Sequence, residues 1–316
     1  MPNWKLRAAV QGCIALLPYR QTWNRLLQKY VTKTLDLNTE TFEYKLTLVN
    51  EHVSNYLETA SSPKDSFSVL ELGTGWHPVI PVGLWLCGAS KVWTIDKVSL
   101  LIPPNVRSVL RRLVEHAGKG DLIEKLPRLR EDRLDDLREA CEDKSLKTAG
   151  KMLERLNIFP VIADARDTGL EPASIDLFVS NATFEHIPGK VLPDILKEFR
   201  RLAAPEAVMS HQIDLSDHYR GLDSTITPLN FLKYPDFIWK FFSSTLYYQN
   251  RVLLSDYRKM HQDAGFKILR EQNRKCPREV LDKISPAKRF RHYSPDDLLV
   301  INSRIISVPD EMCVDR

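Results

Sequence analysis

The stretch Val69-Leu70-Glu71-Leu72-Gly73-Thr74-Gly75-Trp76-His77-Pro78 decides how this chain reads. An apolar run reaches an acid, then two glycines one residue apart, then a proline. Physically this is a buried strand that turns sharply into a helix. Glycine lacks a Cβ and adopts positive φ freely, so Gly73 and Gly75 let the backbone pass close to a ligand. A helix starting beyond them leaves amide N–H groups without intrahelical partners, and those donors face the ligand. Pro78 suits a first helical turn, where its missing N–H costs nothing. In a parallel α/β sheet, nucleotide-like ligands bind at such a turn.

The flanks agree with this reading. Residues 79–89 are mostly apolar and long enough for a helix that packs on a sheet. Lys91-Val92-Trp93-Thr94-Ile95-Asp96 reads as a second strand ending in a carboxylate. Asp96 stands about twenty residues past the glycines, where a doubly wound fold places the acid that accepts hydrogen bonds from ribose hydroxyls. A turn residue after a strand is the plainer role for Asp96, but strand, glycine turn, helix, strand and acid occur in order. A dinucleotide fingerprint also requires a third glycine, Gly-x-Gly-x-x-Gly. Here Trp76-His77-Pro78 follows Gly75 instead, and Glu71 is foreign to that fingerprint, which disfavours a nicotinamide-dependent oxidoreductase.

With Glu71-Leu72-Gly73-Thr74-Gly75 the chain resembles the class I S-adenosylmethionine-dependent methyltransferases, whose first motif is an acid, any residue, then Gly-x-Gly. His77 stands where that family often has a further glycine. Residues 159–165 look like the family's third strand with its terminal acid; the resemblance implies that Asp164 meets the adenine amino group, with Ala165 beside the ring. Residues 174–187 look like the fourth strand and its loop, which carries Asn181, Ala182 and His186. The resemblance covers roughly residues 66–214 by motif. It implies S-adenosyl-L-methionine as cofactor, held by Glu71, Gly73, Thr74, Gly75, His77, Asp96, Lys97, Asp164, Ala165, Asn181 and Ala182. It also implies a Rossmann-like three-layer α/β sandwich around a mostly parallel seven-stranded sheet of order 3-2-1-4-5-7-6.

Composition bounds the rest. A chain of 316 residues, 43% hydrophobic and 27% charged, suits one α/β domain with added elements. A net charge of +4 does not by itself call for nucleic acid. Cys13, Cys87, Cys141, Cys276 and Cys313 lack metal-ligand spacing and read as reduced thiols of a cytoplasmic protein. No apolar run spans a bilayer, and the apolar start at residues 8–17 lacks a cleavage pattern.

Residues 1–62 read as a helical appendage: Trp23, Leu26, Leu27 and Tyr30, then Leu46, Val49, Val53 and Leu57, recur at helical spacing. Residues 63–316 form the methyltransferase-like domain. Within it, 98–158 is a charged helical insertion with helices near 106–117 and 134–141. Its mixed charge reads first as a solvated face, and a lid or partner surface is the sharper alternative. Residues 191–202 read as an amphipathic helix, 208–213 as the fifth strand, 253–264 as a helix, 265–269 as the sixth strand and 297–307 as the last. An aromatic-rich insertion at 214–256 carries Phe231, Tyr234, Phe237, Trp239, Phe241, Phe242, Tyr247 and Tyr248, suited to core packing or to a wall over the acceptor.

Methyl transfer is an in-line displacement in which the cofactor supplies its own leaving group, so the protein positions reactants and excludes water. A hydroxyl acceptor benefits from a base within hydrogen-bond reach. The candidates are His186, Asp214 and His218; His211 alternates with apolar positions and reads as buried and satisfied. Asp214, Asp217 and His218 form a local cluster, but its spacing is common in turns and no metal is assigned to it. The expected acceptor is a small molecule or glycan-type hydroxyl. The basic run Lys267, Arg270, Arg274, Lys275, Arg278, Lys283, Lys288, Arg289 and Arg291 also suits a phosphate-bearing acceptor or an anionic membrane surface. RNA or protein methylation and a non-catalytic cofactor-binding module are the competing readings; nucleic acid is disfavoured by the scarcity of stacking aromatics in that run.

Overall fold

The structure, a computed structural model, describes residues 4, 5, 8, 37–243 and 248–310. Trp23, Leu26, Leu27, Tyr30, Tyr247, Cys13 and Cys313 lie outside the described residues. Helix α1 (Thr39–Thr59) begins at Asn38, whose side chain accepts from the Thr41 N–H and so satisfies one donor of the first turn. Phe42, Leu46, Val49, Val53 and Tyr56 recur along one face and are buried. Then come β1 (Phe67–Leu72), α2 (Val79–Leu86) and β2 (Ala89–Asp96). Every residue of α2 is buried, as expected of a helix that is apolar all round.

The next helices are α3 (Pro103–Lys119), α4 (Leu134–Glu142) and α5 (Ala149–Glu154), which lead to β3 (Ile158–Ile162) and β4 (Ile175–Asn181). Helix α6 (Leu192–Leu202), β5 (Ala203–Asp214), the short α7 (Asp236–Phe242), α8 (Leu254–Asp263), β6 (Phe266–Lys275) and β7 (Val300–Pro309) complete the core. The sheet has seven strands in the order β3-β2-β1-β4-β5-β7-β6. The first five are parallel; β7 runs antiparallel to β5 and β6. This is the expected architecture.

Alternation divides the core between the two faces. Leu177 and Val179 of β4 join one apolar cluster with α1 and α2, while Phe178 joins another with α6 and α8. Helix coverage on both sides explains why β4 is buried along nearly its whole length. A third cluster gathers Tyr219, Phe231, Trp239, Phe290 and Trp4.

Several boundaries differ from the sequence reading. Pro78 caps α2 instead of occupying its first turn. The helix stops at Leu86 because Gly88, at φ +111°, turns the chain into β2, which already begins at Ala89. Asp164 lies two residues past β3, in the loop. Asp297 belongs to a short helix before β7, where its carboxylate accepts from the Ser255 N–H and Oγ. In the 98–158 segment, charge pairs such as Arg155–Glu139 do lie at the surface. Its Val106, Leu110, Leu113, Leu137 and Leu153, however, enter the same core as β1 and α2.

Helices α1 and α2 meet at Gly83. A Cβ there would stand 2.7 Å from Val49 Cγ2, and Val49 is fully buried. Gly83→Ala is therefore expected to destabilise the fold by about 1–3 kcal/mol through overpacking. Adding Val49→Ala should recover part of the loss; equal denaturation midpoints for Gly83→Ala and the unaltered protein would refute the close contact.

Candidate active site at the carboxyl ends of the strands

The glycine turn takes the conformation its residues suggest. Gly73 and Gly75 have φ of +85° and +71°, in the left-handed region. A Cβ on Gly73 would lie 2.4 Å from Thr183 Oγ1, so the turn after β1 packs directly on the loop after β4. At Gly75 no atom of the described residues beyond its chain neighbours lies within 4 Å of that position, leaving room for a ligand. Glu71 is buried at the end of β1 and accepts from Thr74 Oγ1 at 2.8 Å. Asp96 Oδ2 accepts from the N–H groups of Thr74 and Gly75, at 3.1 and 3.3 Å. Burial pushes the Glu71 carboxyl up to about 7 and that of Asp96 up to about 6.

Helix α1 contributes groups that the sequence reading missed. Lys45 Nζ donates to the His77 carbonyl at 3.4 Å, and burial lowers its pKa while Glu71 opposes that shift. His52 is buried between Ser210 Oγ (2.8 Å) and Asn181 Oδ1 (3.0 Å), and burial lowers its pKa to about 4. In sequence these residues stand only as polar positions on a helix. The sheet order brings them to the motif loops.

Asp164 is gripped by Arg166, which donates Nε to Oδ1 (2.9 Å) and Nη2 to Oδ2 (2.7 Å). Those bonds hold its pKa down to about 2, with a smaller contribution from Lys97. Ala165 is buried beside it. The Ala163 N–H donates to the Asp96 carbonyl, joining the β2 and β3 loops. Ala182, at φ +48°, donates its N–H to the Gln212 carbonyl. The expected cofactor residues therefore sit at the carboxyl ends of β1, β2 and β4 and on the loops that follow β1 to β4.

The three expected catalytic side chains also come together. His218 Nε2 lies 3.5 Å from Asp214 Oδ2, and the rings of His186 and His218 are 5.0 Å apart. Burial drives His218 down to about 4, against the pull of Asp214. Asp217 is not part of this group: its carboxylate accepts from Asn230 Nδ2 and the Tyr219 N–H. Glu185, absent from the sequence reading, is. It is 1% exposed, its Oε1 accepts from the Asp214 N–H, and Oε2 has no hydrogen-bond partner among the described residues. Burial raises its carboxyl to about 8. Its one sequence signal was its place beside His186.

A strap at Tyr248, Gln249 and Asn250 orders the cluster. His186 Nδ1 donates to the Tyr248 carbonyl at 2.8 Å. The His218 N–H donates to Gln249 Oε1, and the Asn250 N–H donates to the Glu185 carbonyl. A cavity of about 510 Å³ opens here, and Ala182, Glu185, Asp214, Asp217, His218 and Arg220 are among its lining residues. His211 is buried as expected, with Nδ1 bonded to Ser180 Oγ; its Nε2 has no partner, so it is only half satisfied.

The aromatic insertion splits. Phe231 and Trp239 pack into the third cluster, whereas Phe237 and Phe241 are 67% and 78% exposed. Four cations of the basic run are paired: Arg270 with Glu58, Lys275 with Asp296, Arg278 with Asp282 and Arg289 with Asp236.

A family model described as a methyltransferase domain matches residues 136–210, from α4 through most of β5. The matched segment is a methyltransferase domain, and the strand order is that of the Rossmann-like methyltransferase fold. The enzyme uses S-adenosyl-L-methionine as its methyl donor and falls in the EC 2.1.1 class. A search of curated protein sequences returns no significant match. Among solved structures the chain is similar to a SAM-dependent methyltransferase from Methanosarcina mazei, at 16% identity and TM-score 0.43, covering 82% of this chain and 96% of that one. It is also similar to the YcgJ protein from Bacillus subtilis, at 12% identity and TM-score 0.40, covering 82% and 99%. A geranyl diphosphate methyltransferase in complex with GPP and sinefungin gives 10% identity and TM-score 0.43, covering 81% and 76%. These likenesses are weak; the domain match and the strand order carry the assignment.

The two glycines should respond differently to substitution. Gly73→Ala combines left-handed strain, about 1–2 kcal/mol, with the overlap against Thr183, and should lower both stability and cofactor affinity. Gly75→Ala adds strain alone and should lower affinity more than stability. Equal losses of stability in urea titrations would show that the Thr183 contact contributes nothing.

Proposed function

We propose that this methyltransferase transfers its methyl group to a hydroxyl oxygen of a small-molecule or glycan-type acceptor held in the cavity beside Asp214 and His218. The observation that carries this reading is the His218–Asp214 pair, 3.5 Å apart at the end of β5, with His186 alongside. An imidazole with a pKa of about 4 is neutral near pH 7 and offers a lone pair to a proton. The acceptor hydroxyl gives its proton to that nitrogen as its oxygen bonds the methyl carbon. The carbon–sulfur bond breaks with both electrons staying on sulfur, which leaves S-adenosylhomocysteine. Asp214 steadies the imidazolium.

A polar acceptor is supported by a second cavity of about 400 Å³. Tyr44, Gln212, Gln272, Asn273, Arg274 and Arg304 line it, a set of amide, phenol and guanidinium groups suited to a hydroxyl-rich ligand. Gln212 is two residues from Asp214 on β5. Pairing of four basic-run cations with carboxylates speaks against an RNA or protein polymer as acceptor. For the cofactor, the reading assigns the ribose to Asp96 and the adenine amino group to Asp164, which keeps an acceptor lone pair beyond the three used by Arg166. Glu71, Gly73, Thr74, Gly75, His77, Lys97, Ala165, Asn181 and Ala182 complete the cradle. Among the described residues no helix is long and apolar enough to cross a membrane. The compartment we propose is the cytoplasm. Exposed Phe237 and Phe241, beside Lys240, Lys288 and Arg289, form a face suited to an anionic membrane surface.

Calorimetry with S-adenosylmethionine tests the cradle. Because burial raises Asp96 to about 6, affinity should be flat above pH 6 and fall towards tenfold per unit below it, as the carboxylate that accepts from ribose takes up a proton. In Asp96→Asn that step should vanish. The same raised value acts oppositely on the fold of the ligand-free protein. Its native-state preference for the proton is fully present below about pH 4 and is lost as pH rises through 6. A pH-independent affinity between 5 and 7 would remove Asp96 from the cofactor site.

The acceptor side is tested by turnover with a panel of hydroxylated acceptors. His218→Ala should lower kcat by about 100-fold or more with cofactor affinity unchanged. Unaltered kcat would exclude His218 as the base, and absence of turnover with every hydroxyl acceptor, alongside turnover of an amine, would overturn the oxygen assignment.

A further inference from the structure

We infer that Glu185, His186 and His218 form a site for one divalent transition-metal cation, Zn²⁺ being the probe of choice. One carboxylate oxygen of Glu185 and one ring nitrogen from each histidine lie within 4.8 Å of one another. They reach this arrangement from two separate segments, the loop after β4 and the turn after β5. Two imidazoles with one carboxylate are a recurrent donor set for Zn²⁺ and for non-haem Fe²⁺.

Two further observations point to a ligand here. Glu185 Oε2 is buried and has no hydrogen-bond partner among the described residues, in a residue that is 1% exposed. A buried carboxylate oxygen left unpaired is costly unless something fills its place. His186 Nδ1 donates to the Tyr248 carbonyl at 2.8 Å, which places the proton on Nδ1 and leaves the Nε2 lone pair outward. Metal-bound histidines are held by this kind of outer hydrogen bond, which sets tautomer and ring orientation. Bond lengths of about 2.0–2.2 Å require the three donors to draw together. His186 is exposed and can supply that movement. Asp214 Oδ2, 3.5 Å from His218 Nε2, stands next to the site. Asp217, which the sequence placed with His218, is turned away towards Asn230.

Three protein donors leave at least one coordination position, and the cavity of about 510 Å³ opens on the same residues. The cation's consequence for catalysis rests on the acceptor reading above. An acceptor hydroxyl bound to it would ionise more easily, its proton passing to Asp214 while the oxygen lone pair attacks the methyl carbon. With the cation bound, the imidazoles would serve as ligands, and Asp214 would replace His218 as the proton acceptor; only the hydroxyl-acceptor part of the reading above carries over. Cation binding itself needs neither cofactor nor acceptor.

The test uses the full chain, stripped with a chelator and titrated with ZnCl₂ by calorimetry, then with Co²⁺ to record its ligand-field absorption. One equivalent should bind, and His186→Ala and Glu185→Gln should each weaken binding by about 100-fold. His186 is exposed, so its variant should keep the thermal unfolding profile of the unaltered protein even if Glu185→Gln does not. Failure of the unaltered chain to bind a stoichiometric cation, or equal binding by a folded His186→Ala, would overturn the site. Turnover assays separate this from the acceptor reading. Hydroxyl methylation that is equal in stripped and Zn²⁺-loaded enzyme refutes the cation's catalytic part and leaves the acceptor assignment standing. A bound cation without any hydroxyl turnover does the reverse.

Discussion

The active-site cleft depends on how closely two loops approach. Gly73, at the turn out of β1, leaves no space for a side chain against Thr183, at the turn out of β4. Strands β1 and β4 are neighbours in parallel register, so their carboxyl ends stop at one level and their loops must share the space above them. Any Cβ at Gly73 would force the loops apart. That single steric condition sets the distance between the glycine turn beside β2 and the Asp214–His218 cavity beside β4 and β5.

Electrostatics reinforces the same region. Glu71, Asp96 and Glu185 are all buried carboxyls pushed up by desolvation, gathered at the strand ends where helices close over the sheet. Such groups are costly to bury without partners. The enzyme offsets part of that cost with loop N–H donors at Asp96, the Thr74 hydroxyl and buried Lys45 at Glu71, and the Asp214 N–H at Glu185. Perturbed groups gathered at the strand ends mark this region as the candidate site. Elsewhere the charge pairs are mostly exposed, as in Arg155–Glu139 and Arg278–Asp282, and act as surface decoration worth little.

Much of this was legible in residue order. The apolar run into Glu71, the two glycines and the acid at Asp96 are local patterns, and local patterns survive without tertiary context. So do the helical spacing of Leu46, Val49 and Val53 and the amphipathic stretch that became α6. The charged segment at 98–158 read as more solvated than it is. Its apolar residues are diluted by Arg, Lys, Asp and Glu, yet Val106, Leu110 and Leu113 share one buried face of α3, and Leu137 of α4 joins the same core. Lys45, His52 and Glu185 were missed because their partners are far away in sequence or because the carboxylate's burial depends on the strap at residues 248–250.

By itself the sequence determined the class of fold, the order of its motifs and the residues of the glycine turn, because strand and helix periodicity and the conformational freedom of glycine act over a few residues. Only the tertiary structure decided which polar groups converge. It engaged the Asp217 carboxylate with Asn230, brought Glu185 and His186 to His218, and laid α1 across the sheet so that Lys45 and His52 reach the loops. Those outcomes follow from strand order and packing between distant segments. Spacing along the chain does not encode a distance between a loop after β4 and a turn after β5; the sheet that joins them does.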